Sequence, residues 1–361
     1  MKKKILNSFL FFVILTGLPL TGMLLTGRPI GAYMEFPPLT RYVAHAPFSW
    51  PVFSLLVVII IIIVLFFDIQ VFLSRKKNRN QAVALAEEHL PWWTWGAAAI
   101  LIVAWILSWT RFPWFERFQI FTFTPLWLGY IGIVNGVTKK RSGSCMITHR
   151  RCFLITLFFL SAVFWWFFEY LNRFVQNWYY IGIDELSPLS YFIYATLPFS
   201  TVLPAVLCTF ELVKTFPGAG AGLNDFIKAD FERSRLFSWI IFIVACTSLV
   251  GIGIWPDYLF PCLWLSPMLI ITSMQSIQGR KTIFSDLRYG HWKKIYLMAM
   301  SALICGFFWE MWNFFSFAKW EYSIPFAGRF EIFEMPVAGY AGYLTFGLEC
   351  LVISDLMSEN T

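Results

Sequence analysis

The chain has 361 residues, of which 58% are hydrophobic, 20% aromatic and only 14% charged, with a formal net charge of +7. A soluble domain carries about 25% charged residues, so this composition excludes an ordinary water-dissolved globule and makes lipid the solvent. Nor does the basic surplus mark a nucleic-acid surface, because it falls in short clusters between long apolar runs.

A helix needs about 20 mostly apolar residues to cross the hydrocarbon core of a bilayer. The hydropathy pattern predicts about ten such spans, near 5–26, 50–74, 92–110, 121–138, 152–173, 189–213, 236–254, 258–277, 294–315 and 336–355. The expected fold class is all-α, a polytopic integral membrane helical bundle. Placing the N-terminus in the cytoplasm puts 21 of the 28 Lys and Arg in the N-terminal tail and the loops 75–91, 139–151, 214–235 and 278–293, with Lys294 at the edge of the last counted among them. The others are Arg28, Arg41, Arg111, Arg117, Arg173, Lys319 and Arg329. Such a bias predicts a bacterial-type cytoplasmic (inner) membrane protein with both termini inside. The first span follows Lys2, Lys3 and Lys4 but is longer than a signal-peptide core and lacks a small-residue cleavage site, so it is expected to stay attached. The seven cysteines have no paired spacing and are expected to be free thiols. His45, His89, His149 and His291 fall in loops or at a span boundary, which argues against a haem held inside the membrane.

The last two-thirds of the chain are self-similar. Phe123-Thr124-Pro125-Leu126-Trp127 is matched by Phe260-Pro261-Cys262-Leu263-Trp264. Further on, Trp166-Phe167-Phe168-Glu169-Tyr170-Leu171-Asn172 aligns with Phe307-Phe308-Trp309-Glu310-Met311-Trp312-Asn313. Each then reaches a Trp-x-Tyr, Trp178 to Tyr180 and Trp320 to Tyr322, and ends on a proline followed thirteen residues later by glutamate, Pro198 to Glu211 and Pro336 to Glu349. Four signposts in one order predict two parallel four-helix repeats, 92–213 and 236–355. Two helices, 1–75, precede them; a basic linker, 76–91, a Gly-rich linker, 214–235, and a tail, 356–361, complete the organisation. Gly218, Gly220 and Gly222 in the second linker are read as a joint, since neither a preceding strand nor a following lysine supports a phosphate loop.

An ionisable side chain at membrane depth costs roughly 2.5–3.5 kcal/mol and needs a partner or a purpose. Glu169 with Asn172, and Glu310 with Asn313, place a carboxyl and an amide on one helical face. Across a pseudo-axis the two pairs could converge on one site; alternatively each is a packing group satisfied by Asn, Arg173 or Lys319. Glu211 has Lys214 one turn on, whereas Glu349 has no cation nearby in sequence, and Glu334 stands just before Pro336. Asp68 is expected to pair with Arg75 and Lys76. Trp165, Trp166, Trp309 and Trp312 adjoin the glutamates and either pack or line an apolar cavity.

The order Trp309-Glu310, Trp320-Glu321-Tyr322, Glu334-Met335-Pro336 and Glu349 resembles the membrane domains of carotenoid cyclases of the two-subunit lycopene cyclase type. Those domains are small helical repeats, often paired. The resemblance covers about 150–213 and 294–355 and departs where the family's Pro-x-Glu-Glu is absent. It implies an enzyme acting on an apolar lipid or isoprenoid without redox change or cofactor. Glu310 would donate a proton, Asn313 orient it, Trp309 and Trp312 support a developing cation, and Glu334 or Glu349 accept a proton. The repeat equivalents Glu169 and Asn172, and the aromatics Trp320, Tyr322, Trp166, Trp178 and Tyr180, complete the candidate site. Two other classes fit the sequence. One is an ion-coupled transporter or flippase using the intramembrane carboxylates. The other is a non-catalytic membrane subunit or assembly factor that meets a membrane-protein partner through the external loops 27–49 and 316–335. Composition suggests no nucleic-acid partner.

Overall fold

The computed structural model describes residues 2–77, 89–232 and 234–358. The middle of the predicted basic linker and the end of the predicted tail lie outside these residues. Helix α1 (Lys2–Leu25) and the short α2 (Ile30–Met34) lead, through an extended segment, into the long α3 (Trp50–Lys77). Then come α4 (Trp92–Trp109), a 3-10 turn at Pro113–Phe121, α5 (Phe123–Ser142), the short α6 (Met146–His149) and α7 (Arg151–Val175). Strand β1 (Trp178–Ile181) precedes α8 (Pro188–Phe199) and α9 (Val202–Lys214). After the Gly-rich connector follow α10 (Arg235–Gly251), the short α11 (Pro256–Leu259), α12 (Cys262–Ile277), a 3-10 turn at Ser285–Tyr289 and α13 (Lys293–Phe314). Strands β2 (Lys319–Tyr322), β3 (Glu331–Ile332) and β4 (Met335–Pro336), a 3-10 turn at Val337–Tyr340 and α14 (Ala341–Ser358) complete the chain.

The protein is an all-α membrane bundle in the coarse sense predicted. Among the described residues, six stretches are long and apolar enough to cross a membrane: Trp50–Lys76, Trp92–Trp109, Arg151–Val175, Pro188–Lys214, Lys293–Phe314 and Val337–Met357. A seventh is counted if Pro113–Phe121 and α5, bent by 65°, form one span. The remaining predicted spans correspond to the shorter apolar helices Phe11–Leu25, α10 and α12. Proline and glycine chemistry sets several boundaries: Pro188 opens α8 behind a Ser187 cap, Pro261 precedes α12, and α5 ends on the left-handed Gly143.

Helices approach closely where side chains are small. Along α5, Gly129, Gly132 and Gly136 face Leu101, Ala97 and Thr94 of α4; a Cβ on Gly132 would stand 2.5 Å from that of Ala97. Helix α13 packs on α9 and α14, α12 on α10 and α14, and α7 on α9. Helix α3 leans on this bundle with most of its surface outward. Its Asp68 accepts the Tyr296 hydroxyl at 2.8 Å, and Arg75 donates to the Gly218 carbonyl at 2.6 Å. Asp68 therefore has a tyrosine partner on α13 that the sequence reading, centred on Arg75 and Lys76, did not include.

The two Trp-x-Tyr segments that mark the repeats form an antiparallel ribbon. Trp178 lies opposite Tyr322, Tyr179 opposite Glu321, and Tyr180 opposite Trp320.

Candidate functional site

The site is built from two glutamates and the strands that follow their helices. Glu169, on α7, is 7% exposed, and its Oε1 accepts the Trp165 indole N–H at 3.1 Å, the Trp178 indole N–H at 3.0 Å and the Tyr180 hydroxyl at 2.6 Å. Asn172, one turn on, makes this possible. Its amide donates to the Trp178 carbonyl at 2.8 Å and its Oδ1 accepts the Asn177 N–H at 2.9 Å, which seats the start of β1 against the helix end. Alternate residues of a strand share a face, so Trp178 and Tyr180 both turn back toward the carboxyl.

The second glutamate is wired in nearly the same way. Glu310, on α13, has no solvent exposure, and its Oε1 accepts the hydroxyls of Tyr322 at 2.7 Å and Tyr343 at 2.5 Å. Asn313 donates to the Trp320 carbonyl at 2.7 Å and accepts the Trp320 N–H at 2.9 Å. One substitution changes the wiring. Four residues before Glu169 stands Trp165, a donor to it; four residues before Glu310 stands Gly306, and a Cβ there would lie 2.3 Å from the Tyr343 ring. The missing side chain makes room for Tyr343, which supplies the hydrogen bond that Trp165 gives in the first half. The Trp320 indole donates at 2.9 Å to the Tyr322 oxygen. Glu310 Oε2 is buried without a partner among the described residues.

Both sets of donors face a cavity of about 410 Å³. Trp165, Trp178, Tyr180, Tyr191 and Phe199 wall one side, Trp309, Trp320, Tyr322, Tyr343 and Phe346 the other, and Trp264 and Phe260 stand between. Leu56, Ile59 and Ile60 of α3 form a further wall. Its described lining carries no charged side chain; the polar surface is chiefly hydroxyls and indoles, with the carboxyls behind them. Volume and lining suit an apolar ligand of substantial size. Burial, with the adjacent carboxyl adding to it, pushes the Tyr180 and Tyr322 phenols well above their usual range, so both stay protonated at neutral pH.

The structure thus brings Trp309, Trp320, Tyr322, Trp178 and Tyr180 onto one cavity, with Glu310 and Asn313 behind its lining, while Glu169 and Asn172 stand on the wall of a second cavity next to it. Other candidates lie elsewhere. Trp312 packs behind the wall, its ring 5.0 Å from Trp127 and 5.3 Å from Phe308. Trp166 faces a second cavity and donates to Thr196 Oγ1 at 3.0 Å. Glu334 is paired with Lys319. Glu349, 1% exposed, accepts the Met268 N–H at 2.9 Å in the turn after Pro267 of α12. Neither Glu334 nor Glu349 lines the cavity. Glu211 is bridged to Lys214 at 3.0 Å, as its spacing indicates. Glu169 takes aromatic donors, where the sequence reading offered Asn172 or Arg173 as its partner. Sequence reasoning missed Tyr343, Tyr191 and Trp264; the glycine at 306 was the one local sign that something large enters there.

No family model, no curated protein and no solved structure matches the chain.

Proposed function

We propose that the protein is an integral membrane enzyme that holds an apolar lipid or isoprenoid in the aromatic cavity and acts on it by proton transfer, without redox change and without a cofactor. The observation that carries this reading is the Glu310 carboxyl, sealed from solvent, hydrogen-bonded by two phenols whose rings line the cavity. A proton on Glu310 reaches the cavity through Tyr322 or Tyr343. A phenol passes its proton to a substrate double bond and takes the carboxyl's proton, which leaves a carboxylate accepting two O–H bonds, the arrangement the structure holds. The aromatic walls stabilise the carbocation. When the cation loses a proton from a neighbouring carbon, the same path returns it to Glu310, so an isomerisation or cyclisation balances with one acid/base couple. Glu334 and Glu349, engaged by Lys319 and by the Met268 N–H, are not needed as bases.

The same reading includes two parallel repeats, ten membrane-inserted helices, both termini in the cytoplasm and a bacterial-type cytoplasmic membrane. The repeats are supported by the duplicated Glu-Asn-strand wiring and the ribbon register, and the orientation by the placement of the basic residues. With Tyr179 opposite Glu321 at the centre, exchanging the two halves maps the ribbon onto itself. A carboxylate-coupled carrier is less well served, since Glu211 and Glu349 already have partners.

The test compares total lipid and isoprenoid extracts by mass spectrometry from cells lacking the protein and complemented with wild type or Glu310→Gln. A compound made by wild type and replaced by an isomeric precursor with the variant, at equal protein level, is the expected result. Identical extracts would sink the reading for the lipids sampled.

A further inference from the structure

A second cavity, about 230 Å³, adjoins the first and differs from it in character. The segment 33–43 covers it, and Glu169, Arg173 and Trp178 to Tyr180 contribute to its other walls. The cover is tied down: the Tyr42 and Val43 N–H groups each donate to Gln176 Oε1 at 2.8 Å, and the Gln176 amide donates to the Thr40 carbonyl at 2.9 Å. Glu35 accepts the Thr40 N–H at 2.8 Å and its hydroxyl at 2.9 Å, while Glu169 has its three aromatic donors. What these contacts leave over is a cation's donor. Arg173 Nη1 is buried and has no hydrogen-bond partner among the described residues. The Arg41 guanidinium also lines this cavity, laid over the Tyr179 ring at 3.2 Å from its centroid.

A buried guanidinium N–H without an acceptor is costly, and its planar fork matches the oxygens of a phosphate or carboxylate. Trp178, Tyr180 and Tyr191 line both cavities, so the guanidinium's cavity and the apolar chamber meet at these three aromatic side chains. We propose that the ligand is an amphiphile with an anionic, phosphate-type head, the head held at Arg173 under the 33–43 cover and the hydrocarbon chain in the aromatic cavity. This rests on the reading of the larger cavity as a lipid site and narrows its substrate class.

The test uses the full chain in phosphatidylcholine nanodiscs, with quenching of tryptophan fluorescence by ω-bromododecyl phosphate and ω-bromododecanol, probes that share a chain and differ in the head. The phosphate is expected to half-saturate at a concentration about tenfold below the alcohol. Arg173→Gln should bring the two to within about twofold while leaving the alcohol's value unchanged, which also shows that the variant is folded. Arg173→Lys should keep part of the preference. Glu310→Gln, which touches the phenols lining the chain's cavity, should move both probes alike and keep their ratio, separating head recognition from proton transfer. Equal binding of the two probes in wild type, or a preference that survives Arg173→Gln, overturns the proposal. Displacement of the bromo-phosphate by equimolar inorganic phosphate assigns the site to a free anion and overturns the amphiphile. If neither chain probe quenches saturably, the lipid reading of the larger cavity fails with it.

Discussion

At Asn313 a single side chain joins helix to strand. It both donates to and accepts from the Trp320 backbone, and it is fully buried. Asn313→Ala leaves a buried N–H and a buried carbonyl without partners, at about 1–3 kcal/mol each. The expected outcome is a lower unfolding midpoint in detergent together with loss of product, since Trp320 and Tyr322 lose their seat; a variant with unchanged stability would show that the ribbon holds itself. Glu35 offers a pH test outside the membrane. Burial acts to raise its pKa, but the Thr40 N–H and hydroxyl and the Arg173 charge outweigh it and hold the carboxyl below its ordinary value. A carboxyl depressed in the folded state stabilises it above the unfolded value, about 4.3, and that contribution is lost as pH falls through the folded value. Wild type should therefore unfold at a higher temperature than Glu35→Gln at pH near 7, and the gap should begin to shrink as pH falls below about 4.3 and close once it is below the folded value. A gap independent of pH would show that the Thr40 contacts do not depend on the charge.

The contact between α13 and α14 depends on Gly306, because an added methyl would meet the Tyr343 ring at 2.3 Å and cannot be absorbed by a flexible chain end. Gly306→Ala should cost about 1–3 kcal/mol through overpacking and move Tyr343 off Glu310, lowering product formation more than stability alone explains. Gly96→Ala on α4, where nothing lies within 4 Å, is the control and should be neutral or mildly stabilising. Equal behaviour of the two would remove the argument for Gly306. These elements also show what the sequence could and could not reveal. Glu310 and Asn313 were readable because their spacing is local, and Trp320 and Tyr322 because the motif recurs. Tyr343 was not readable, since it meets Glu310 through a gap in another helix. Glu349 looked unpartnered because its partner is a backbone N–H, a group identical at almost every position. Helix type followed from hydropathy, but α10 and α12 fall short of a full span because Gly251 to Pro256 and Pro261 interrupt their runs.

Across the whole molecule, the two halves of the chain meet at the ribbon and where α13 packs on α9, and the extended segment after α2 fastens them together. Tyr42 and His45 reach the end of α7, Tyr42 through its hydroxyl to the Arg173 carbonyl and His45 to the Gln176 carbonyl at 3.2 Å. His45 also contacts Asp257 of α11 at 2.8 Å, and Ser49 donates to the Phe326 carbonyl at 2.9 Å. These contacts make the segment a cover for the smaller cavity. The arrangement of halves is tested by Tyr179→Cys with Glu321→Cys. Directly opposed residues of an antiparallel pair have Cα atoms about 4.5–5.5 Å apart, within the range a disulfide spans. With a protease site placed in the connector 214–232 and cut after mild oxidation, the double variant should run as one band without reductant and as two with it. Tyr179→Cys with Lys319→Cys, two residues out of register, should separate in both lanes. Cross-linking of the second pair as readily as the first would mean that the register is not fixed. Failure of the first pair alone would place the two Trp-x-Tyr segments apart and with them dissolve the shared cavity.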